Sequence, residues 1–283
     1  VHDIQRIGIV GTGTMGHGIA HVSALAGNEV SLYDIDAGRV AAAIAKVKGN
    51  LDKGVEKGKV PPADRDAAAA RLRGVTDLAE LAASDLVVEA IPEKIELKRD
   101  LFAALDRLVR SDAVLATNTS SLSVAKIAAG GHNPSRVIGT HFFNPVHIMA
   151  LLEVVVHDGT APAVLDAVLR WGTRIGKECI TVRDFPGFAT SRLGVCLGME
   201  AIRMVEQGVA SAEDIDKAMV LGYRHPVGPL RLTDMVGLDV RLAIGEYLAR
   251  ELDNPAFQPP ELMRRMVAEG KLGQKSGEGF YRW

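Results

Sequence analysis

Short runs rich in Val, Ile and Leu alternate with helix-patterned stretches up to about residue 185. This alternation limits the fold more than any other feature of the chain. The runs are Ile7–Val10, Glu29–Tyr33, Leu86–Glu89, Val114–Ala116, Val137–Thr140, Leu151–Val156 and Glu178–Thr181. Several show no apolar–polar alternation, which is the pattern of strands covered on both faces. Helical stretches such as Lys94–Val109 and Ala163–Ile175 supply the cover. The expected fold class is therefore α/β, with a doubly wound, mostly parallel sheet.

Asp184-Phe185-Pro186-Gly187-Phe188 interrupts the pattern and reads as a domain boundary. Beyond it every periodic segment is helical. The expected division is a sheet domain over 1–185, with a helical arm near 37–73, and an all-helical domain over 186–283. Leu193–Val205 is apolar on nearly every side, so it is expected to be deeply buried or to lie in a subunit interface. Ser211-Ala212-Glu213-Asp214 is a helix start.

A 47 % hydrophobic composition allows a sizeable core. The formal net charge of −2 argues against a nucleic-acid partner. Cys179 and Cys196 show neither metal-ligand spacing nor a disulfide framework, so no metal site is expected and both read as free thiols. Charges interrupt every long apolar run, so no membrane-spanning segment is expected. No secretory signal precedes the first strand, and a cytoplasmic setting fits.

Gly11-Thr12-Gly13-Thr14-Met15-Gly16 follows the apolar strand Ile7–Val10 and opens a helix through Ile19, Val22 and Leu25. The G-x-G-x-x-G string gains meaning from that strand–turn–helix context. Gly11 permits the turn, Gly13 lets backbone approach a pyrophosphate, and Gly16 allows close helix–strand packing. A second strand ends at Asp34, 18 residues after Gly16, where an acid can bind both ribose hydroxyls of NAD. Asp36 competes for that role. FAD uses a similar turn, and a tight βα turn with no ligand has the same string.

His141 follows the strand-like Arg136–Gly139 and enters a loop with Asn144-Pro145. Leu151–Val156 comes next, with Glu153 as its single acid among apolar neighbours. A buried carboxylate needs a partner, and a histidine at a strand mouth can be one. Such a pair makes a general base, with the imidazole taking the proton and the carboxylate orienting it.

Lys46, Asn50, Lys53 and Lys57 recur at helical spacing beside the apolar stripe Val40, Ile44, Val47 and Leu51. The polar stripe can hold a phosphate-rich ligand, and an ordinary solvated face looks the same. Gly49, Gly54 and Gly58 weaken this helix and suggest a mobile arm.

Taken in order, these parts resemble the 3-hydroxyacyl-CoA dehydrogenase family in its short, single-function 3-hydroxybutyryl-CoA form. The resemblance also covers Leu86–Ala90, Asn118-Thr119-Ser120-Ser121-Leu122, Pro186-Gly187-Phe188, His225–Pro229, Gly237-Leu238-Asp239 and Lys275–Tyr281. It implies an NAD-dependent oxidation of (S)-3-hydroxyacyl-CoA and its reversal, a setting in fatty-acid metabolism, and a homodimer built on the helical domain. It implies His141 and Glu153 as the catalytic dyad, with Ser120 and Asn144 positioning the substrate oxygen and the nicotinamide. Thr14 and Met15 fall within the glycine turn, and Glu93, Lys98, Asn118 and Ser120 fall at cofactor-contact positions. Without the family, Glu93 and Lys98 read as surface charges opening a helix. The arm matches the region that contacts CoA, with Asn50 and Lys57 the closest positional matches and Lys53 beside them. Ser191 stands where many members carry Asn, a shorter reach for a substrate contact. His147 stands where Pro is frequent. His147 reads as a loop residue, and His2, His17, His21, His132, His157 and His225 also have no assigned chemistry and read as surface or satisfied packing residues. Two alternatives stay open: a dehydrogenase of a non-CoA hydroxy acid on the same fold, which the basic stripe argues against, and a non-enzymatic, crystallin-like NAD-binding protein, which the His141–Glu153 pair argues against.

Overall fold

The computed structural model describes residues 3–283, so His2 lies outside the described residues. The chain divides into two compact units, one ending at Asp184 and the other spanning Phe185–Trp283.

The first unit is built on an eight-stranded sheet of order β3-β2-β1-β4-β5-β6-β7-β8. Its strands are β1 (Arg6–Val10), β2 (Glu29–Tyr33), β3 (Leu72–Val75), β4 (Leu86–Glu89), β5 (Val114–Thr117), β6 (Val137–Phe142), β7 (Leu151–Val156) and β8 (Glu178–Arg183). Its helices are α1 (Thr14–Leu25), α2 (Ala37–Glu56), α3 (Pro62–Ala70), α4 (Ile95–Leu108), α5 (Val124–Ala128) and α6 (Pro162–Arg174). Every strand pair is parallel except β6–β7. The central strands β4, β5 and β6 are buried along their whole length, as their unbroken apolar runs require. The core between sheet and helices gathers Ile7, Ile9, Leu86, Val88, Val114, Ile138 and Trp171, among others.

Three expectations need correcting. The edge strand β3, Leu-Arg-Gly-Val, was not foreseen. β2 ends at Tyr33, so Asp34 is the first residue beyond it. β6 runs on to Phe142, which makes His141 a strand residue rather than a loop residue. In the arm, α2 passes unbroken through Gly49 and Gly54, and Gly58 turns the chain with φ +65°.

The second unit is helical: α7 (Thr190–Glu206), α8 (Ala212–Lys217), α9 (Pro229–Val236), α10 (Leu238–Leu252) and α11 (Glu261–Ala268). Ser211 caps α8 by accepting from the Asp214 N–H. α7 packs into the unit through Val195, Met199 and Ile202, and along it Leu193, Glu200 and Glu206 are exposed, Leu193 to 72 %. Fully buried Asp234 ties the chain end down, accepting from the N–H groups of Phe280 and Tyr281 and from the Trp283 indole.

Candidate active site

The antiparallel β6–β7 pair sets the first feature. Its register places His141 directly opposite Glu153, and directly opposed residues project to the same face of a sheet. Nδ1 of His141 lies 2.6 Å from Oε2 of Glu153, with the carboxylate side chain wholly buried. A carboxylate that deep strongly favours a hydrogen-bonded, charge-compensating neighbour. The Phe143 ring packs against the imidazole at 4.5 Å between centroids and limits its rotation.

A second buried network caps β4 and β5. Lys98 is 1 % exposed and its ammonium reaches Glu89 at 2.6 Å and Glu93 at 3.1 Å. This corrects the reading of Lys98 as a surface charge. Glu89 also accepts from the Thr117 hydroxyl at 2.6 Å and the Ile91 N–H at 2.8 Å. Burial pushes the Glu89 carboxyl above the usual carboxylate range, and the Lys98 ammonium opposes that rise. Glu93 in turn accepts from the Ser120 N–H at 2.9 Å and from the Thr119 hydroxyl. The half-buried Asn118 accepts from the Phe142 N–H at 3.0 Å, tying the end of β5 to the residue after His141. Ser120, Asn118 and Glu93 are thus held together where β5 ends. Asn144 is exposed on the loop after β6.

The glycine turn forms the third feature. Gly11 has φ +98°, a conformation that favours glycine. A Cβ on Gly16 would stand 1.8 Å from the Gly11 carbonyl oxygen, whereas one on Gly13 would meet nothing within 4 Å. Only Gly13 therefore has open space above it, as a passing pyrophosphate requires. α1 begins without a side-chain cap, which leaves its positive end suited to phosphate. Beside it lies a cavity of about 410 Å³ lined by Thr12, Gly13, Thr14, His17, Asp34, Arg39 and Lys46, among others. Asp34 accepts from the Thr12 hydroxyl at 2.9 Å. Asp36 caps α2, accepting from the Gly38 and Arg39 N–H groups, whereas Asp34 lines the cavity. These residues fit NAD.

Comparison with known proteins agrees. Residues 6–185 match the 3-hydroxyacyl-CoA dehydrogenase NAD-binding domain, and residues 187–283 match that family's C-terminal domain. The chain belongs to the 3-hydroxyacyl-CoA dehydrogenase family. It is 45 % identical over 282 residues to a 3-hydroxybutyryl-CoA dehydrogenase of Mycobacterium tuberculosis H37Rv, covering 98 % of each chain. It is 40 % identical over 279 residues to a probable 3-hydroxybutyryl-CoA dehydrogenase of Bacillus subtilis, covering 99 % of this chain and 97 % of that one. The crystal structure of (S)-3-hydroxybutyryl-CoA dehydrogenase from Ralstonia eutropha superposes with a TM-score of 0.96 at 42 % identity, covering 99 % of both. The protein is an NAD-binding oxidoreductase with 3-hydroxyacyl-CoA dehydrogenase activity.

The remaining expected residues of this dehydrogenase are spread more widely. The basic stripe divides: Lys46 lines the nucleotide cavity, Asn50 lines a separate cavity, and Lys53 and Lys57 are exposed. Ser191 is half-buried on α7 of the second unit. Cys179 and Cys196 are free thiols, and burial pushes the Cys179 thiol up. Thr12 and Arg39 line the nucleotide cavity, and Glu89 and Thr117 belong to the buried network; none of the four is among the expected site residues. Thr12 was signalled only by its place inside the glycine turn, and Glu89 only by being an acid at the end of an apolar strand. His17 is bonded to the Gly13 carbonyl and His157 to that of Pro134, so both are satisfied, but His21 is not. Among the described residues no cluster of three or more His, Cys, Asp or Glu could hold a metal, and no helix is long and apolar enough to cross a membrane.

Proposed function

We propose that the reaction runs on His141, with Glu153 as its orienting partner, and that the preferred acyl group is short, as in 3-hydroxybutyryl-CoA and acetoacetyl-CoA. The observation that carries this reading is the 2.6 Å bond between His141 Nδ1 and the buried Glu153 carboxylate. That bond puts a hydrogen on Nδ1 and the lone pair on Nε2. Nε2 takes the proton of the 3-hydroxyl, and Glu153 stabilises the imidazolium that forms. NAD, held along the glycine turn with a ribose at Asp34, supplies the hydride acceptor when bound. In the reverse direction the imidazolium returns its proton to the forming alkoxide.

Ser120 and Asn144 are assigned to hold the substrate oxygen, and Glu93 and Asn118 to flank the nicotinamide. Lys98 is assigned to the cofactor together with Glu93, which its ammonium reaches at 3.1 Å. Asn50, Lys53 and Lys57 are assigned to CoA, and Ser191 to the substrate. A short acyl group is supported by relatives that bear the 3-hydroxybutyryl-CoA name and match end to end. The second unit is assigned to a homodimer, supported by exposed Leu193, Leu221 and Tyr223. Two free cysteines suit the cytoplasm. The test is NADH oxidation with 3-ketoacyl-CoAs of increasing length. The four-carbon substrate should give the highest kcat/KM, and a profile that rises with chain length would overturn the short-chain assignment.

A further inference from the structure

The first unit holds a cavity of about 470 Å³ whose lining does not include the dyad. His21, Lys59, His147, Arg174 and Lys177 line it, together with Asn50 and apolar residues, and no carboxylate does. His21 on α1 is 4 % exposed and stacks on the exposed His147, with rings 5.2 Å apart and 3° from parallel. Among the described residues neither imidazole makes a hydrogen bond, and Nδ1 of His21 is fully buried. An unpaired buried polar atom is destabilising, so such a site is incomplete by itself. Lys177 is 7 % exposed and donates to the carbonyls of Val146 and Met149, which aligns its ammonium with the His147 loop. Arg174 is already paired with Asp3 at 3.0 Å.

We propose that this cavity binds a phosphate group, with Lys177, Lys59 and the His21–His147 pair as its donors. The lining is concave, cationic and without an acid, and phosphate oxygens are the acceptors that match it. The like-charge crowding is already visible. His21 is pushed down to about 4, by burial first and then by His147, His17 and Lys177. His147 is lowered by burial and by Lys177, His17 and Lys57, and Lys177 is lowered by burial. Lys46 on α2 acts on His17 in the same sense. Asp3 is paired with Arg174 of this lining. An anion seated among these groups favours their charged forms, so its binding takes up protons and tightens as pH falls. The phosphate has two candidate sources: the CoA portion of the substrate, which rests on the function proposed above, or a separate phosphate-bearing molecule, which does not.

The experiment is calorimetric titration of the full-length protein with CoA, dephospho-CoA, pantetheine and inorganic phosphate. It is run in buffers of different ionisation enthalpy at two pH values, for wild type, His147→Ala and His21→Gln/His147→Ala. Comparing variants at each pH cancels the ligand's own ionisation near pH 6. Wild type should bind CoA with net proton uptake. The double variant should lose roughly ten- to hundredfold in affinity, along with that uptake. Loss with CoA but not dephospho-CoA assigns the 3′-phosphate, and loss with both assigns the diphosphate. Loss with inorganic phosphate that CoA does not displace assigns a separate ligand. Because His147 is exposed, the single variant keeps the test valid should the His21 change disturb folding. Binding and proton uptake equal to wild type in His147→Ala and in the double variant would overturn the proposal. Absence of turnover in wild type would overturn the proposed function alone.

Discussion

Replacing Lys98 by Met removes one charge from a buried ion pair and leaves the other behind. Lys98 and Glu89 are 1 % and 0 % exposed and lie 2.6 Å apart. Without the ammonium, Glu89 retains only two neutral donors, the Thr117 hydroxyl and the Ile91 N–H. Stranding a buried charge costs about 3–5 kcal/mol, a large share of the roughly 5–15 kcal/mol that a domain has. At about 2–3 kcal/mol per molar urea, the unfolding midpoint of the sheet unit should fall by about 1 M or more. The pH dependence has a definite sign. Glu89 is held above its unfolded pKa by burial, so its protonated form favours folding and that contribution is lost as pH rises through the folded pKa. Removing Lys98 raises the folded pKa further. The penalty should therefore be smallest in mild acid and grow toward neutral and alkaline pH. Adding Glu89→Gln should recover much of the loss, since the amide can still accept from Ile91 and no charge is stranded. Urea unfolding of the three proteins at two pH values decides it. A Lys98→Met midpoint equal to wild type at both pH values, or no recovery in the double variant, would refute the reasoning.

Three further outcomes are expected. Gly16→Ala should weaken NADH binding by roughly tenfold or more, because a Cβ there meets the Gly11 carbonyl oxygen; an unchanged Kd by fluorescence titration would exclude this. Wild type should use NADH in preference to NADPH, because Asp34 repels a 2′-phosphate, and Asp34→Ser alone should narrow the gap since Arg39 already lines that cavity. Equal use of both cofactors by wild type would remove Asp34 from the role. Light scattering at micromolar concentration should give a dimer mass, and a monomer would leave exposed Leu193, Leu221 and Tyr223 without a purpose.

The sheet was legible because its central strands are uninterrupted apolar runs, and the glycine turn because each glycine has its own geometric task. β3 was not legible. It has four residues, an internal glycine and only Val75 buried, so it lacks both the length and the pattern of a strand. The burial of Lys98 was hidden because its partners, Glu89 and Glu93, sit on another strand end and a loop, and charge alone argues for solvent. Glu153 stood out as a lone acid in an apolar strand, and His141 as its plausible partner. Their direct opposition depends on the antiparallel turn-back of β7 on β6, and no local pattern encodes that register. His21 looked like ordinary packing because a helix pattern does not reveal that a loop residue, His147, stacks on it without bonding it.

Steady-state kinetics of His141→Ala, Glu153→Gln and the double variant test the central claim most directly. His141→Ala should lower kcat by roughly 10²- to 10⁴-fold, while NADH affinity survives. Glu153→Gln should also lower kcat, by loss of the imidazolium's partner. Because both act through one imidazole, the double variant should be far less impaired than the product of the two losses. Near-wild-type turnover in His141→Ala, or losses that simply multiply, would contradict the dyad.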